Sequence, residues 1–399
     1  MVSLAEMETV RAGTVALLLQ QLDFQFDPFA ALDAAADPYL EKYIVGLHTF
    51  AVAWDDVPTL IFAPAGGGKT AMRIYTARIC WTNLGAHHPF PIVYVPADHA
   101  VGLEPPSPAH HLACLIRSGA LTVFQSLLAR PARFLALDRG TRCTLVSLLD
   151  AALPASLSYY LNVLRETANP AELASLGGLS LFVSTPSLEE IRSLAAAMEA
   201  TPLSSTLATE AEPVVFEVLT NVILQALDFR SIFLLLDGVD AFYSTAAHPS
   251  AAAVWVDSLM DFGDRWAQKH IFIKGFLPLE IWPELMPHLN TIRWTRIEWQ
   301  PSLLAEMLRR RVYVASGGKF GSLDAISSPA LRDVETRLTS AITPLPREAL
   351  VVVKYLLEAC AHRRGGGIAR LEADDLEVAL RRYAADPVTR RWRTSDGVQ

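Results

Sequence analysis

At 399 residues the chain is long enough for two or three folded units, at least one with a sizeable buried core. With 51% apolar and 19% charged residues it is not a disordered chain, and a net charge of −8 gives no general support for a nucleic-acid partner, which needs a basic face. The four cysteines (Cys80, Cys114, Cys143, Cys360) lack C-x-x-C pairs and read as small buried hydrophobes, so the expected location is cytoplasmic.

In chain order, residues 1–58 read as a helical lead broken by Pro28 and Pro38. Arg11 to Leu19 is too short and follows too acidic a start for a signal peptide. From Thr59 the pattern changes to short apolar runs. Thr59-Leu60-Ile61-Phe62-Ala63 predicts a buried strand, Thr70 to Leu84 a helix and Ile92 to Val95 a second strand, which together make a βαβ unit and hence a parallel sheet. Residues 101–210 are rich in Ala and Leu, are cut by Pro131, Pro154, Pro170 and Pro186, and read as a helical insertion with a stray strand over Leu179 to Val183. Strand signals return at Ile232 to Leu236, which ends at Asp237, then at Ile271 to Ile273, followed by Lys274-Gly275, and over Thr291 to Ile297. From residue 301 to 399 the pattern is a helical lid, with Gly317-Gly318 and Gly365-Gly366-Gly367 as loops. The expected fold is α/β, a parallel sheet sandwiched by helices over 59–300 with the insertion and the lid. No apolar run approaches the ~20 residues a bilayer needs, so no membrane is expected.

The chemistry concentrates at Ala63-Pro64-Ala65-Gly66-Gly67-Gly68-Lys69-Thr70, which matches G-x-x-x-x-G-K-[ST] except for Ala at the first position. Small residues let backbone N–H groups of Ala65 to Ala71 turn around phosphate oxygens, and the following helix N-terminus favours negative charge. Lys69 would reach the β- and γ-phosphates and the Thr70 hydroxyl would ligate Mg²⁺. The run Ser231 to Asp240, SIFLLLDGVD, puts the Asp237 carboxylate at the carboxyl edge of a sheet, where ligands of open α/β sheets bind, and makes it the candidate Mg²⁺ carboxylate.

The AGGGKT and LLLDGVD runs together resemble the P-loop NTPases of the AAA+/STAND group, including origin-recognition-like and bacterial conflict-system ATPases. Asp27-Pro28-Phe29 through Leu40 and Tyr43 is similar to their lead-in, Thr291 to Trp299 and Leu303 to Arg311 to the last strand and first lid helix, and Leu371 to Leu376 to the last lid helix. The resemblance implies an ATP-binding, slowly hydrolysing molecular switch with Mg²⁺, acting on a separate effector or sensor protein in bacterial defence or signalling. Pro346-Arg347-Glu348 is similar to the start of the helix carrying the lid's sensor arginine. Arg347 is therefore the candidate for a bidentate γ-phosphate contact, the alternative being a capping or surface arginine. Many relatives carry Glu after Asp-Gly-x-Asp, where this chain has Ala241, which leaves Asp240 to polarise the attacking water or to be a solvated turn residue. Lys274 stands where a polar sensor ends the fourth strand, with a surface lysine as the alternative. The absence of arginine between Leu277 and Asn290 argues against a trans-acting ring; other oligomers are left open.

Two further readings compete, a non-hydrolysing ATP-dependent scaffold and a DNA-associated ATPase. His110-His111-x-x-Cys114 lacks a second ligand pair for zinc, and Trp294 and Trp299 are expected in core packing.

Overall fold

A computed structural model describes residues 15–82, 87–96, 107–170, 173, 186–204, 207–241, 245, 248–363 and 370–386. The expected strand over Leu179 to Val183 and the Gly365-Gly366-Gly367 loop lie outside these residues. The chain divides into two compact units, one built from Thr49–Phe62 and Met72–Arg296, the other from 15–48, Ala63–Ala71 and 297–386 among the described residues.

The first unit holds a five-stranded parallel sheet of β1 (Thr59–Ala63), β2 (Pro89–Tyr94), β3 (Ser231–Leu236), β4 (Ile271–Pro278) and β5 (Arg293–Arg296), in the order β2-β3-β4-β1-β5. Register is tight, with Ile92 opposite Leu234 and Leu234 opposite Ile273. β1, β3 and β4 are buried throughout, as parallel strands covered on both faces must be, which is why they read as unbroken apolar runs. The β5 strand is the exception. It ends the sheet and is largely exposed, so Trp294 is 40% exposed instead of packed in a core, edge to face with Trp282, with the Arg296 guanidinium over both rings. An edge strand has one side without a covering neighbour.

Between β2 and β3, which pair directly, the chain makes helices over Pro108–Ala129, Pro131–Ala136, Arg139–Ala152, Leu157–Glu166, Leu188–Glu199 and Glu212–Asn221. Their starts follow capping chemistry. The Ser107, Asp138 and Ser156 side chains accept backbone N–H bonds, and Ser187 with Glu190 forms a reciprocal capping box. Pro131 opens a helix at a position where its missing N–H costs nothing, and Pro154 lies in the break after Ala152. The helix Pro108–Ala129 is the one helix among the described residues long and apolar enough to cross a bilayer, and 72% of its apolar window is buried against the protein, where it packs on β2. In the sequence His110, His111 and Arg117 interrupt its apolar run.

The second unit gathers α1 (Lys69–Thr82) at its first turn, α2 (Pro301–Ala315), α3 (Val334–Ser340), α4 (Pro346–Arg363) and α5 (Ala373–Ala385) around a core that includes Leu308, Val353, Leu356 and Tyr383. The segment 22–47, expected to be helical, instead forms turns and short 3-10 pieces at Ala34–Ala36 and Leu40–Lys42. The cause is local. The carboxylates of Asp27, Asp33 and Asp37 each accept the N–H two residues on, an alternative to the helical ladder. These turns are tied to α2 by Arg311, whose guanidinium donates to Pro28 O (2.6 Å), pairs with Asp37 (3.0 Å) and lies 4.1 Å over the Tyr43 ring. The lead up to His48 thus shares one compact unit with the lid, while its remainder from Thr49 belongs with the sheet.

Candidate functional site

β1 runs straight into the glycine-rich turn, and the turn opens α1 at Lys69. Gly66 and Gly68 adopt φ of +78° and +94° on either side of Gly67, which has no positive φ. Alternation of this kind turns successive N–H groups toward one concave side and their carbonyls away from it. The turn is closed by Gly67 N–H donating to Pro64 O at 3.0 Å. A side chain has no room here. A Cβ on Gly66 would lie 2.8 Å from the Arg347 Cβ, and one on Gly67 would lie 2.9 Å from both Ala63 Cβ and Pro64 O. Thr70 and Ala71 follow in the first turn of α1, whose leading N–H groups have no acceptor within the helix. The Lys69 ammonium folds back on the turn, donating to Ala63 O at 3.1 Å and Pro64 O at 3.4 Å.

Two residues of the segment 297–386, in the same compact unit, meet this turn. The Arg347 backbone N–H donates to Gly66 O at 3.3 Å and its stem faces Gly66, while the residue as a whole is exposed. The Trp299 indole N–H donates to Gly67 O at 2.9 Å, and its ring faces Gly68. Trp299 was expected only to pack in a core. Its contact joins residues far apart in sequence, and no spacing signal marks it.

The remaining candidates lie in the sheet unit. Asp237, 3% exposed, accepts the Gly238 N–H at 2.9 Å and pairs with the Arg73 Nε at 3.1 Å, so its carboxylate is held from two sides by groups that stabilise its charge. Asp240 is partly exposed, in the turn that follows β3.

Lys274 must be reassigned. It is fully buried, and its ammonium donates to Asp55 O, to Val57 O at 2.8 Å and to Thr59 Oγ1 at 3.4 Å, with the Phe233 ring 4.6 Å away. Those acceptors mark the amino end of β1, and three acceptors match the three donors of an ammonium. Burial pulls its pKa down to about 7 against the opposing pull of Asp56 and Asp55. It is a clamp within the sheet unit, neither a phosphate sensor nor a surface lysine.

The His110-His111-x-x-Cys114 run also serves packing. His111 bonds Tyr94 OH (2.7 Å) and Ser258 Oγ (3.0 Å), and burial lowers its pKa to about 4, so the ring is neutral. Among the described residues no group of three or more His, Cys, Asp or Glu is arranged to hold a metal. A magnesium ion carried by a nucleotide needs only one or two protein oxygens, the rest being waters and phosphates. Searches against protein-family models, curated proteins and solved structures found no match to this chain.

Proposed function

We propose that the chain binds ATP with Mg²⁺ through Ala65 to Ala71 and works as a slowly hydrolysing molecular switch on a separate partner protein, in keeping with its resemblance to the AAA+/STAND group. The observation that carries this reading is the alternating backbone at Gly66 and Gly68 in a turn between a buried parallel strand and a helix N-terminus. Backbone N–H groups so arranged suit phosphate oxygens, and the absence of a Cβ lets the turn at Gly66 and Gly67 pack this closely against Arg347, Ala63 and Pro64. Lys69 exchanges two carbonyl acceptors for phosphate oxygens. The Thr70 hydroxyl and the Asp237 carboxylate are hard oxygen donors of the type magnesium prefers, and the ion would neutralise charge on the β- and γ-phosphates. Arg73 fixes the direction of Asp237. Asp240 orients and polarises the attacking water, and Arg347 answers to the γ-phosphate from the lid segment.

The test is nucleotide binding and phosphate release by wild type beside Asp237→Ala and Asp240→Ala. Asp240→Ala is expected to bind ATP normally and to stop turnover, and normal turnover would remove Asp240 from this role. A wild-type protein that retains no triphosphate sinks the reading. Ala241, where many AAA+/STAND ATPases carry Glu, favours a second outcome: tight ATP binding with no phosphate release, which would make the chain an ATP-dependent scaffold.

A further inference from the structure

We infer that Trp299 is a positioning residue that clasps the phosphate-binding turn from outside and makes the turn and the lid segment a single coupled element. The inference rests on the nucleotide reading above and adds to it a route of regulation. A turn whose N–H groups converge on one side exposes its carbonyls on the other, and each buried or half-buried carbonyl needs a donor. Here two consecutive carbonyls are met by donors from two separate points of the segment 297–386. Gly66 O takes the Arg347 backbone N–H at 3.3 Å and Gly67 O takes the Trp299 indole N–H at 2.9 Å. The same residues wall the glycines, with Arg347 against Gly66, and Trp299 and Pro346 against Gly68. Consistently, Ala63–Ala71 belongs to the compact unit of 297–386 and not to that of the strand from which it emerges.

Glycines at positive φ are the residues with the most freedom to leave that conformation, so a turn built on them needs outside support to stay preorganised. The clasp supplies this support. Trp299 sits just ahead of α2 and Arg347 at the start of α4, so any displacement of these two helices from the turn releases both carbonyls. Coupling between binding and lid position is reciprocal: nucleotide that fixes the turn also fixes the lid, and anything that moves the lid weakens nucleotide binding. This route acts through the backbone that cradles the phosphates common to ADP and ATP. It is distinct from a γ-phosphate contact by the Arg347 guanidinium.

The two routes separate in a titration of ADP and ATP against wild type, Trp299→Phe and Arg347→Ala, with thermal midpoints measured alongside. Phenylalanine keeps a flat ring beside Gly68 and removes the N–H. Trp299→Phe is expected to weaken ADP and ATP alike, by about fivefold, the worth of one hydrogen bond, with a thermal midpoint close to wild type. Arg347→Ala keeps its backbone N–H and is expected to weaken ATP more than ADP. Wild-type affinity for both nucleotides in Trp299→Phe overturns the clasp, and so does a loss confined to ATP. If wild type binds neither nucleotide, the nucleotide reading itself is overturned. Should Trp299→Phe not fold, the indole N–H resonances of the eight tryptophans in the wild-type protein decide the matter. ADP is expected to shift one that exchanges slowly with water, and no shift in any overturns the inference.

Discussion

Each end of β1 has a lysine whose ammonium points at main-chain carbonyls, yet the two sit in opposite settings. At the amino end Lys274 reaches across from β4 to Asp55 O, Val57 O and Thr59 Oγ1, far away in sequence, and it is sealed under Phe233. At the carboxyl end Lys69 bonds Ala63 O and Pro64 O, five and six residues back in its own turn. A long-range set of acceptors is part of the fold, because losing it detaches one strand from the approach to another. Lys69 keeps carbonyl acceptors of its own turn at 3.1 and 3.4 Å, and on the nucleotide proposal an anion takes their place without disturbing the sheet. On that proposal, the same functional group is structural or ligand-seeking according to where its acceptors lie in the chain.

Substitutions at the two ends should therefore separate stability from affinity. Lys274→Ala leaves two carbonyls and a hydroxyl without their donor and opens a cavity, and is expected to cost about 4 kcal/mol in urea unfolding while the folded fraction binds nucleotide normally. Lys69→Ala is expected to do the reverse. ATP affinity, followed by calorimetry, should fall at least about a hundredfold, with loss of a charge-assisted contact, while unfolding changes by clearly less than in Lys274→Ala. If Lys69→Ala destabilises the chain as Lys274→Ala should, the contrast between the ends is wrong. Gly66→Ala is the milder probe of the carboxyl end. Its Cβ would come within 2.8 Å of Arg347 at a φ of +78°, so about 1–2 kcal/mol of stability and about tenfold in ATP affinity should be lost together.

The strand–turn–helix unit was legible in the sequence because its signals are local: an unbroken apolar run, three glycines and a lysine before a helical pattern. Asp237 was legible as the end of β3 for the same reason. What escaped depends on pairings across the chain. Arg311 with Asp37, and Trp299 with Gly67, leave no trace in periodicity. The helical lead was misread because alternating apolar and acidic residues look amphipathic, whereas Asp27, Asp33 and Asp37 use their carboxylates to stop the helix. Lys274 does carry a signal in the sequence. It sits in the middle of Ile271–Pro278, and a strand buried on both faces gives a lysine no outlet to solvent, so it must find acceptors inside.

The pH dependence gives the sharpest view of the amino end. An unfolded lysine keeps its proton up to about 10.5, whereas burial brings Lys274 in the fold down to about 7. Between those values the unfolded chain holds the extra proton, so by linkage this residue makes the fold more stable as pH rises, and the gain is lost again as pH falls toward 7. Lys274→Met fills much of the same volume with nothing to titrate. Thermal midpoints of the two proteins measured from about pH 7 to about pH 9, where other groups shift both alike, should therefore diverge in favour of wild type with rising pH. A constant difference across that range would mean that Asp55 O, Val57 O and Thr59 Oγ1 bind the ammonium strongly enough to offset its burial. The amino end would then be a permanently charged clamp, and its acceptors, more than its dryness, would set the behaviour of the lysine.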